Sequence, residues 1–410
     1  MTPGRPEGID PKYLKVSYQP SEGPLSRRNL LFGSLTPRYE VVAAVETEAC
    51  TAWKGCVQCL AACPQGAIAV DGGAAAIDKA KCVGCGACLP VCPVRAIRQP
   101  LLDPERLEAE LRALLSTAEV AAAPRVLVLM ADGGAPPPEA MGLRVLRLPS
   151  IGAVSAWLLL RAFTLGFFGV AVLPCPVGCR HRCDQARWDQ TLWFTLELLT
   201  RLGVGADRLA VVRRDDIASA PGLSAFCQAV AGLGPHRLCT VSHVSARQAP
   251  TLARLLQDLA AFRPDPSAPL AGVAIPFGAL SVGADRCTLC GACPERCPTG
   301  ALEVREDEES SRLLFDHGRC VACEACVRVC PERAVEVTRR LDLARLGGQE
   351  VLAEDRVARC ARCGAAIAPK RMLERVQRCL NGTQAASARA LGRYCASCLA
   401  LQSLAGVRGP

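Results

Sequence analysis

Hydrophobic and polar positions change rhythm several times along this chain. Between residues 101 and 240 short apolar runs alternate with helical stripes. Arg125 to Met130 and Leu143 to Leu148 read as strands, and Gly152 to Leu165 reads as a helix that Gly166 ends. Gly169 to Leu173 is a strand, Gln185 to Leu202 a helix and Leu209 to Val212 a strand. Such alternation predicts a parallel α/β domain. Ahead of it, Asp103-Pro104 opens a helix by a cap and a proline, with Leu107, Leu111, Leu114 and Leu115 as its apolar stripe. Residues 1–40, rich in Pro, Gly and Arg, have no period and predict an extended arm. Residues 241–280 carry Pro and Ala without pattern and predict a linker. In 41–100 and 281–340 cysteine-rich segments are joined by short β-like stretches. A charged stretch of helical character then leads to a small module at 355–402.

The 23 residues from Ile151 to Leu173 hold one charge, Arg161, and are long enough to span a bilayer. A helix ended by Gly166 and a buried strand account for them better, so a soluble chain is expected. Ser26-Arg27-Arg28-Asn29-Leu30-Leu31 has the look of a twin-arginine signal. Its apolar run stops at Gly33, and Pro37, Arg38 and Glu40 follow, so a cytoplasmic location is expected.

Composition sharpens this picture through one number: 26 of the 410 residues are Cys. Disulfide scaffolds are short secreted chains, whereas here most Cys stand two or three residues apart, at the spacing of metal ligands. The formal charge of +9 invites a nucleic-acid reading. Metal-bound Cys are thiolates, however, and four cubanes at about 2− each would leave the holoprotein near neutral. No dense Lys/Arg run with interleaved aromatics is present either.

One phrase is written four times: Cys63-Pro64-Gln65-Gly66-Ala67-Ile68, Cys92-Pro93-Val94-Arg95-Ala96-Ile97, Cys297-Pro298-Thr299-Gly300-Ala301-Leu302 and Cys330-Pro331-Glu332-Arg333-Ala334-Val335. Three copies complete the spacing C-x2-C-x2-C-x3-C-P: Cys82, Cys85, Cys88 and Cys92; Cys287, Cys290, Cys293 and Cys297; Cys320, Cys323, Cys326 and Cys330. That is the run of bacterial dicluster ferredoxins, in which three Cys wrap one [4Fe–4S] cluster and the fourth ligates its partner. Small residues such as Gly86 and Ala87 are expected to leave room for the cluster. The first copy has Trp53 where a Cys should stand and uses Cys50, Cys56, Cys59 and Cys63. Either Cys50 reaches the fourth iron, or it is a buried thiol beside a three-iron centre. Crossover ligation predicts the sets Cys50, Cys56, Cys59 and Cys92; Cys82, Cys85, Cys88 and Cys63; Cys287, Cys290, Cys293 and Cys330; Cys320, Cys323, Cys326 and Cys297. Four [4Fe–4S] clusters are expected.

Cys360, Cys363, Cys395 and Cys398 form two CxxC knuckles, a zinc-ribbon pattern; another metal or free thiols are the alternatives. Cys379 shares a helix face with Met372, Val376 and Leu380 and is read as core.

Cys175-Pro-Val-Gly-Cys179-Arg-His-Arg-Cys183 follows directly on a strand of the α/β domain, at the edge where such sheets gather ligands. Together with Arg147-Leu-Pro-Ser150, Leu160-Arg161-Ala162-Phe163, Gly169-Val170, Gly205 to Leu209 and Ser219 to Phe226, this loop resembles the iron–sulfur delta subunit of methyl-viologen-reducing hydrogenase, over residues 124–235. The resemblance implies a [2Fe–2S] cluster at Cys175, Cys179 and Cys183. Yet Val128-Leu-Met130 lies where that family has an early Cys pair, Ser150 replaces a later Cys, and the loop is one residue shorter. Cys183, Cys227 and Cys239 are candidates to compensate, with His181 a weaker one; otherwise the loop is an inert remnant on a docking platform.

The overall expectation is an α/β and α+β multidomain chain with two ferredoxin-like dicluster modules, a central parallel α/β domain and a zinc-ribbon-like tail. There is no nucleotide fingerprint, P-loop or Ser/His/Asp arrangement, and His236, His243 and His317 read as surface residues. With no bond-making cofactor site, the expectation is a non-catalytic electron-transfer subunit. The resemblance implies hydrogenase, formate dehydrogenase or flavin-type partners on one side and a heterodisulfide-reductase-like partner on the other. The twin-arginine-like stretch also resembles the front of ferredoxin-type proteins that accompany molybdoenzymes, which leaves an assembly factor as the alternative.

Overall fold

The computed structural model describes residues 6–20, 35–116, 125–132, 143–175, 179–182, 184–212, 221–240, 251–260, 269–380 and 392–406. They fall into two units, Met1–Trp53 with Val57–Ser267, and Ala268–Pro410 with Lys54–Cys56.

In the first unit, β1 (Leu14–Pro20) and β2 (Leu35–Val41) pair antiparallel from Leu14–Val41 to Pro20–Leu35. Within the stretch expected as an extended arm, the described strands thus pair with each other as a ribbon. Its open end is anchored by buried Tyr13, Leu14 and Val42. The twin-arginine-like Ser26–Leu31 lies outside the described residues. β3 (Ala44–Val45) pairs with β6 (Ile97–Arg98), and between them lie helix α1 (Gln58–Ala62) and the hairpin of β4 (Ile68–Asp71) and β5 (Ala74–Ile77). That hairpin turns on Gly72 and Gly73, both at positive φ, as a two-residue turn between twisted strands requires.

Helix α2 (Pro104–Ser116) leads to a sheet of four parallel strands: β7 (Val126–Ala131), β8 (Arg144–Leu148), β9 (Gly169–Leu173) and β10 (Leu209–Val211), in the order β10-β9-β7-β8. All six residues of β7 are buried. Helices α3 (Ala156–Leu165), α4 (Gln185–Arg201) and α5 (Pro221–Leu233) lie between and after these strands in sequence. Gly166 caps α3 at φ 113°, as its position predicted. The chain leaves β7 for β8 on one side and returns to β9 on the other, so a topological switch point lies at the carboxyl ends of β7 and β9.

Arg161, the one charge of the apolar stretch, is buried on α3 and forms a bidentate pair with Glu108 of α2, at 2.6 and 3.0 Å. Among the described residues no helix is long and apolar enough to cross a membrane. Part of the expected linker is a helix, α6 (Leu252–Ala260), whose Leu255, Leu256 and Leu259 are fully buried.

The second unit holds β11 (Leu270–Ala271), β12 (Gly278–Val282), α7 (Ala292–Arg296), β13 (Leu302–Glu306), β14 (Ser310–Asp316), α8 (Ala325–Val329) and β15 (Val335–Leu341). The tail adds β16 (Gln349–Arg359), β17 (Ala366–Pro369), α9 (Lys370–Leu380) and α10 (Ala396–Gly406). The sheets run β11-β15-β12 and β13-β14-β16-β17. The stretch expected as a charged helix is thus strand β16, which pairs with β14 and points Ala353 and Val357 inward.

Candidate metal centres

The four-times-written phrase folds the same way each time. In every copy the chain turns so that the residue four beyond the last Cys donates its backbone N–H to that sulfur. The pairs are Ala67 to Cys63 at 3.3 Å, Ala96 to Cys92 at 3.2 Å, Ala301 to Cys297 at 3.2 Å and Ala334 to Cys330 at 3.3 Å. The residue before each Ala lies at positive φ: Gly66 at 58°, Arg95 at 54°, Gly300 at 62° and Arg333 at 48°. An arginine in that region costs about 1 kcal/mol or more and persists where the surroundings over-determine it. The four alanines are buried, leaving no room for a larger side chain.

The three complete loops share a second device. Residues on both sides of the second Cys are left-handed: Gly84 and Gly86, Leu289 and Gly291, Ala322 and Glu324. The chain thereby curls around the sulfurs. Gly86, expected to leave room for a cluster, is also confined by packing: a Cβ there would sit 2.4 Å from Leu102 and 2.9 Å from the Ala153 side chain of the α/β domain. The first loop keeps only Gly55 in this conformation. Its Cys50 is half-buried, accepts the Ala75 N–H of β5 at 3.3 Å, and packs with Cys63 and Cys92 against the core that includes Cys59 and Cys88. Cys56 is half-buried in the turn before α1.

Several of the thiols are pushed up by burial and by the thiols beside them. Burial pushes Cys88 up, and the thiols of Cys85, Cys82 and Cys63 add to it. Burial takes Cys293 to about 12, with Cys287, Cys326, Cys290 and Cys330 contributing. Burial also takes Cys320 to about 12 and Cys326 to about 11, with Cys323 and Cys297 beside both. Cys287, Cys290, Cys293 and Cys330 line one open-sided pocket, walled otherwise by residues such as Val304, Leu313 and Val335. Crowded thiols in an apolar wall are poor acids on their own and suit a positively charged iron–sulfur core, which stabilises the thiolates. A [4Fe–4S] group in such a site supplies one-electron redox chemistry. The chain's part is to supply sulfur, amide N–H groups and a dry wall, the features that set potential.

In the tail, the sulfurs of Cys360, Cys363, Cys395 and Cys398 all lie within 4.8 Å of one another, Cys363 and Cys395 at 3.6 Å. The first knuckle is turned by Gly364, at φ 73°, and the second opens α10. Backbone N–H groups of Cys395, Cys363 and Arg362 draw the Cys360 thiol down, while burial and the other three sulfurs push Cys398 up. Cys379, expected in a core, is exposed on α9, a helix with no buried residue.

In the α/β domain, Cys175, Cys179 and His181 bring their ligand atoms within 4.8 Å of one another at the switch point. Cys183 lies outside the described residues. The candidates to complete a fourfold set are elsewhere: Cys227 is buried in the core behind β7 and β9, and Cys239 sits by His236 at 3.5 Å. Ser150 is buried and accepts the Gly152 N–H. His236 and His317, expected at the surface, are both buried. His236 donates from Nε2 to Phe167, His317 from Nδ1 to Gly278, and each accepts an N–H at its other nitrogen. His243 lies outside the described residues.

The 4Fe-4S dicluster domain family matches residues 286–334, and the 4Fe-4S binding domain family matches 75–98. One component of an ion-translocating oxidoreductase complex from Methanosarcina acetivorans is 51% identical over 43 residues, 10% of this chain and 16% of that protein. The chain therefore spans a small part of that relative. Residues 137–234 match the delta subunit of methyl-viologen-reducing hydrogenase. The chain thus carries a segment of the hydrogenase delta-subunit family with 4Fe–4S domains on either side of it in sequence.

Proposed function

We propose that this chain is a non-catalytic iron–sulfur electron-transfer subunit of a multisubunit redox complex in the cytoplasm, holding four [4Fe–4S] clusters. The observation that carries the reading is the fourfold recurrence of one sulfur-binding turn, with the same N–H to Sγ bond and the same left-handed residue. The ligand sets are Cys50, Cys56, Cys59 and Cys92; Cys82, Cys85, Cys88 and Cys63; Cys287, Cys290, Cys293 and Cys330; Cys320, Cys323, Cys326 and Cys297. The thiol neighbourhoods around Cys88, Cys293 and Cys320 support the crossed pairing. The tail holds zinc through Cys360, Cys363, Cys395 and Cys398 in a ribbon-like fold, a redox-silent brace.

The delta-subunit match supports a place between a hydrogenase, formate dehydrogenase or flavin-type donor and a heterodisulfide-reductase-like acceptor. Anaerobically purified protein is expected to contain about 16 Fe and 16 sulfide, as four cubanes require. Spectra of reduced samples should show spin coupling within each pair. A total near half that amount after full reconstitution overturns the four-cluster reading.

A further inference from the structure

We infer that His317 is a positioning residue for the cluster of Cys320, Cys323, Cys326 and Cys297, one that tunes its redox potential by holding the Gly278 backbone against the Cys320 sulfur. The inference rests on the four-cluster reading and extends it to a side chain that is not a ligand. Both backbone polar groups of Gly278, at the start of β12, are taken by one short segment. Its N–H donates to the Cys320 carbonyl at 3.2 Å, and its carbonyl accepts from His317 Nδ1 at 3.0 Å. β12 ends its sheet, so this segment satisfies groups on the strand's outer edge. The far side of the ring accepts the Asp342 N–H at 3.0 Å, just past β15. The imidazole is 1% exposed and lies between the rings of Phe277 and Phe315. The same segment reaches the fourth ligand of the set. Asp316 donates its N–H to the Ala301 carbonyl at 2.8 Å, and the Ala301 N–H goes to the Cys297 sulfur at 3.2 Å.

The turn itself forms without an imidazole. In the first module Asp78-Lys79-Ala80-Lys81-Cys82 stands where Asp316-His317-Gly318-Arg319-Cys320 stands in the second. Asp78 donates its N–H to the Ala67 carbonyl at 2.8 Å, and its carboxylate accepts the Ala80 N–H at 2.9 Å. Asp316 does the same with Ala301 and Gly318, at 2.8 and 2.9 Å. Lys79, at the place of His317, is exposed, and its amine reaches out to the Pro11 carbonyl at 3.4 Å. The buried ring is thus an addition in the second module, and what it adds is the grip on Gly278. A Cβ on Gly278 would stand 2.7 Å from the Cys320 sulfur, so the bare glycine backbone covers that atom. Reduction takes a four-thiolate cubane from about 2− to about 3−, and water favours the higher charge. A looser cover therefore raises the potential.

The test compares two variants of the full chain purified anaerobically, His317→Asn and His317→Gln. Iron content and a potentiometric titration, followed by the spectrum of the reduced clusters, are the readouts. Asn puts an amide N–H where Nδ1 stands and keeps the bond to Gly278. Gln puts an amide oxygen near the place of Nε2 and keeps the bond to Asp342 alone. In His317→Gln one midpoint potential should rise while the others stay. His317→Asn should match wild type in potential and in iron. Equal behaviour of the two variants, or a shift in His317→Asn alone, overturns the inference, because a ring that merely fills space does not tell the two bonds apart. If His317→Gln does not fold or does not load, His317→Asn decides. A shifted potential or the loss of about 4 Fe from it overturns the inference. Wild type with far less than about 16 Fe defeats the four-cluster reading itself, so the two failures show separately.

Discussion

A single methyl group at Gly278 should remove one cluster and spare the rest. Gly278 opens β12, donates its N–H to the Cys320 carbonyl at 3.2 Å and accepts from His317 Nδ1 at 3.0 Å. A Cβ there would stand 2.7 Å from the Cys320 sulfur, 3.1 Å from the Ala322 Cα and 3.2 Å from its nitrogen. Ordinary contact begins near 3.4 Å, so the sulfur must retreat by about 0.7 Å. Metal–ligand distances tolerate about 0.2 Å, and the left-handed backbone at Ala322 leaves little room to yield. Gly278→Ala is therefore expected to lose the cluster of Cys320, Cys323, Cys326 and Cys297, about 4 Fe of about 16, and with it the spin coupling in that module. Iron, sulfide and the spectrum of the reduced protein measure this. Gly348→Ala is the control, because a Cβ there meets nothing within 4 Å. Full iron and an unaltered spectrum in Gly278→Ala would refute the placement of Cys320 as a ligand.

Cys297→Ser should damage the cluster of Cys320, Cys323 and Cys326, and loss of the Cys287 centre in its place would show that the pairing is not crossed. Cys363→Ser with Cys398→Ser should release zinc without changing cluster potentials, as redox titration would verify. Arg161→Met strands a buried carboxylate that keeps only Arg112, and should cost about 3 kcal/mol in denaturant midpoint analysis. Burial alone would raise the Glu108 pKa, but hydrogen bonds from Arg161 and Arg112 outweigh it and lower it. Stability from the pair is thus present at neutral pH and fades as pH falls through the acidic range, so the gap between wild type and variant should close there.

The central sheet was legible because β7, β8 and β9 are apolar runs bounded by turns and glycines, and local rhythm decides such elements. The ligand spacing was legible for the same reason: three thiols within seven residues are a local fact. Local rhythm misled where partners decide. Gln349–Arg359 carries Glu350, Glu354, Asp355 and Arg356 and looks helical until β14 supplies its ladder. The stripe of Leu255, Leu256 and Leu259 was lost among neighbouring prolines and alanines. His236 and His317 look like surface residues because the carbonyls that satisfy them, Phe167 and Gly278, are 69 and 39 residues away. Cys227 looks like a ligand and is core, since nothing in one sequence separates a dry thiol from a bound one.

Shielding by the α/β domain has a consequence for survival in air. The loop from Gly84 to Cys88 is buried throughout, and Gly86 lies bare against Leu102 and Ala153. In the other module Cys290 is exposed at the rim of its cavity. Oxygen and peroxide reach sulfur and iron by way of such rims, and oxidation follows exposure. On brief aeration the Cys290 centre should therefore bleach first and the Cys85 centre last, an order that freeze-quenched spectra can follow. A preparation counted after handling in air would then under-report the second module, and its missing iron would be the mark of an unshielded edge.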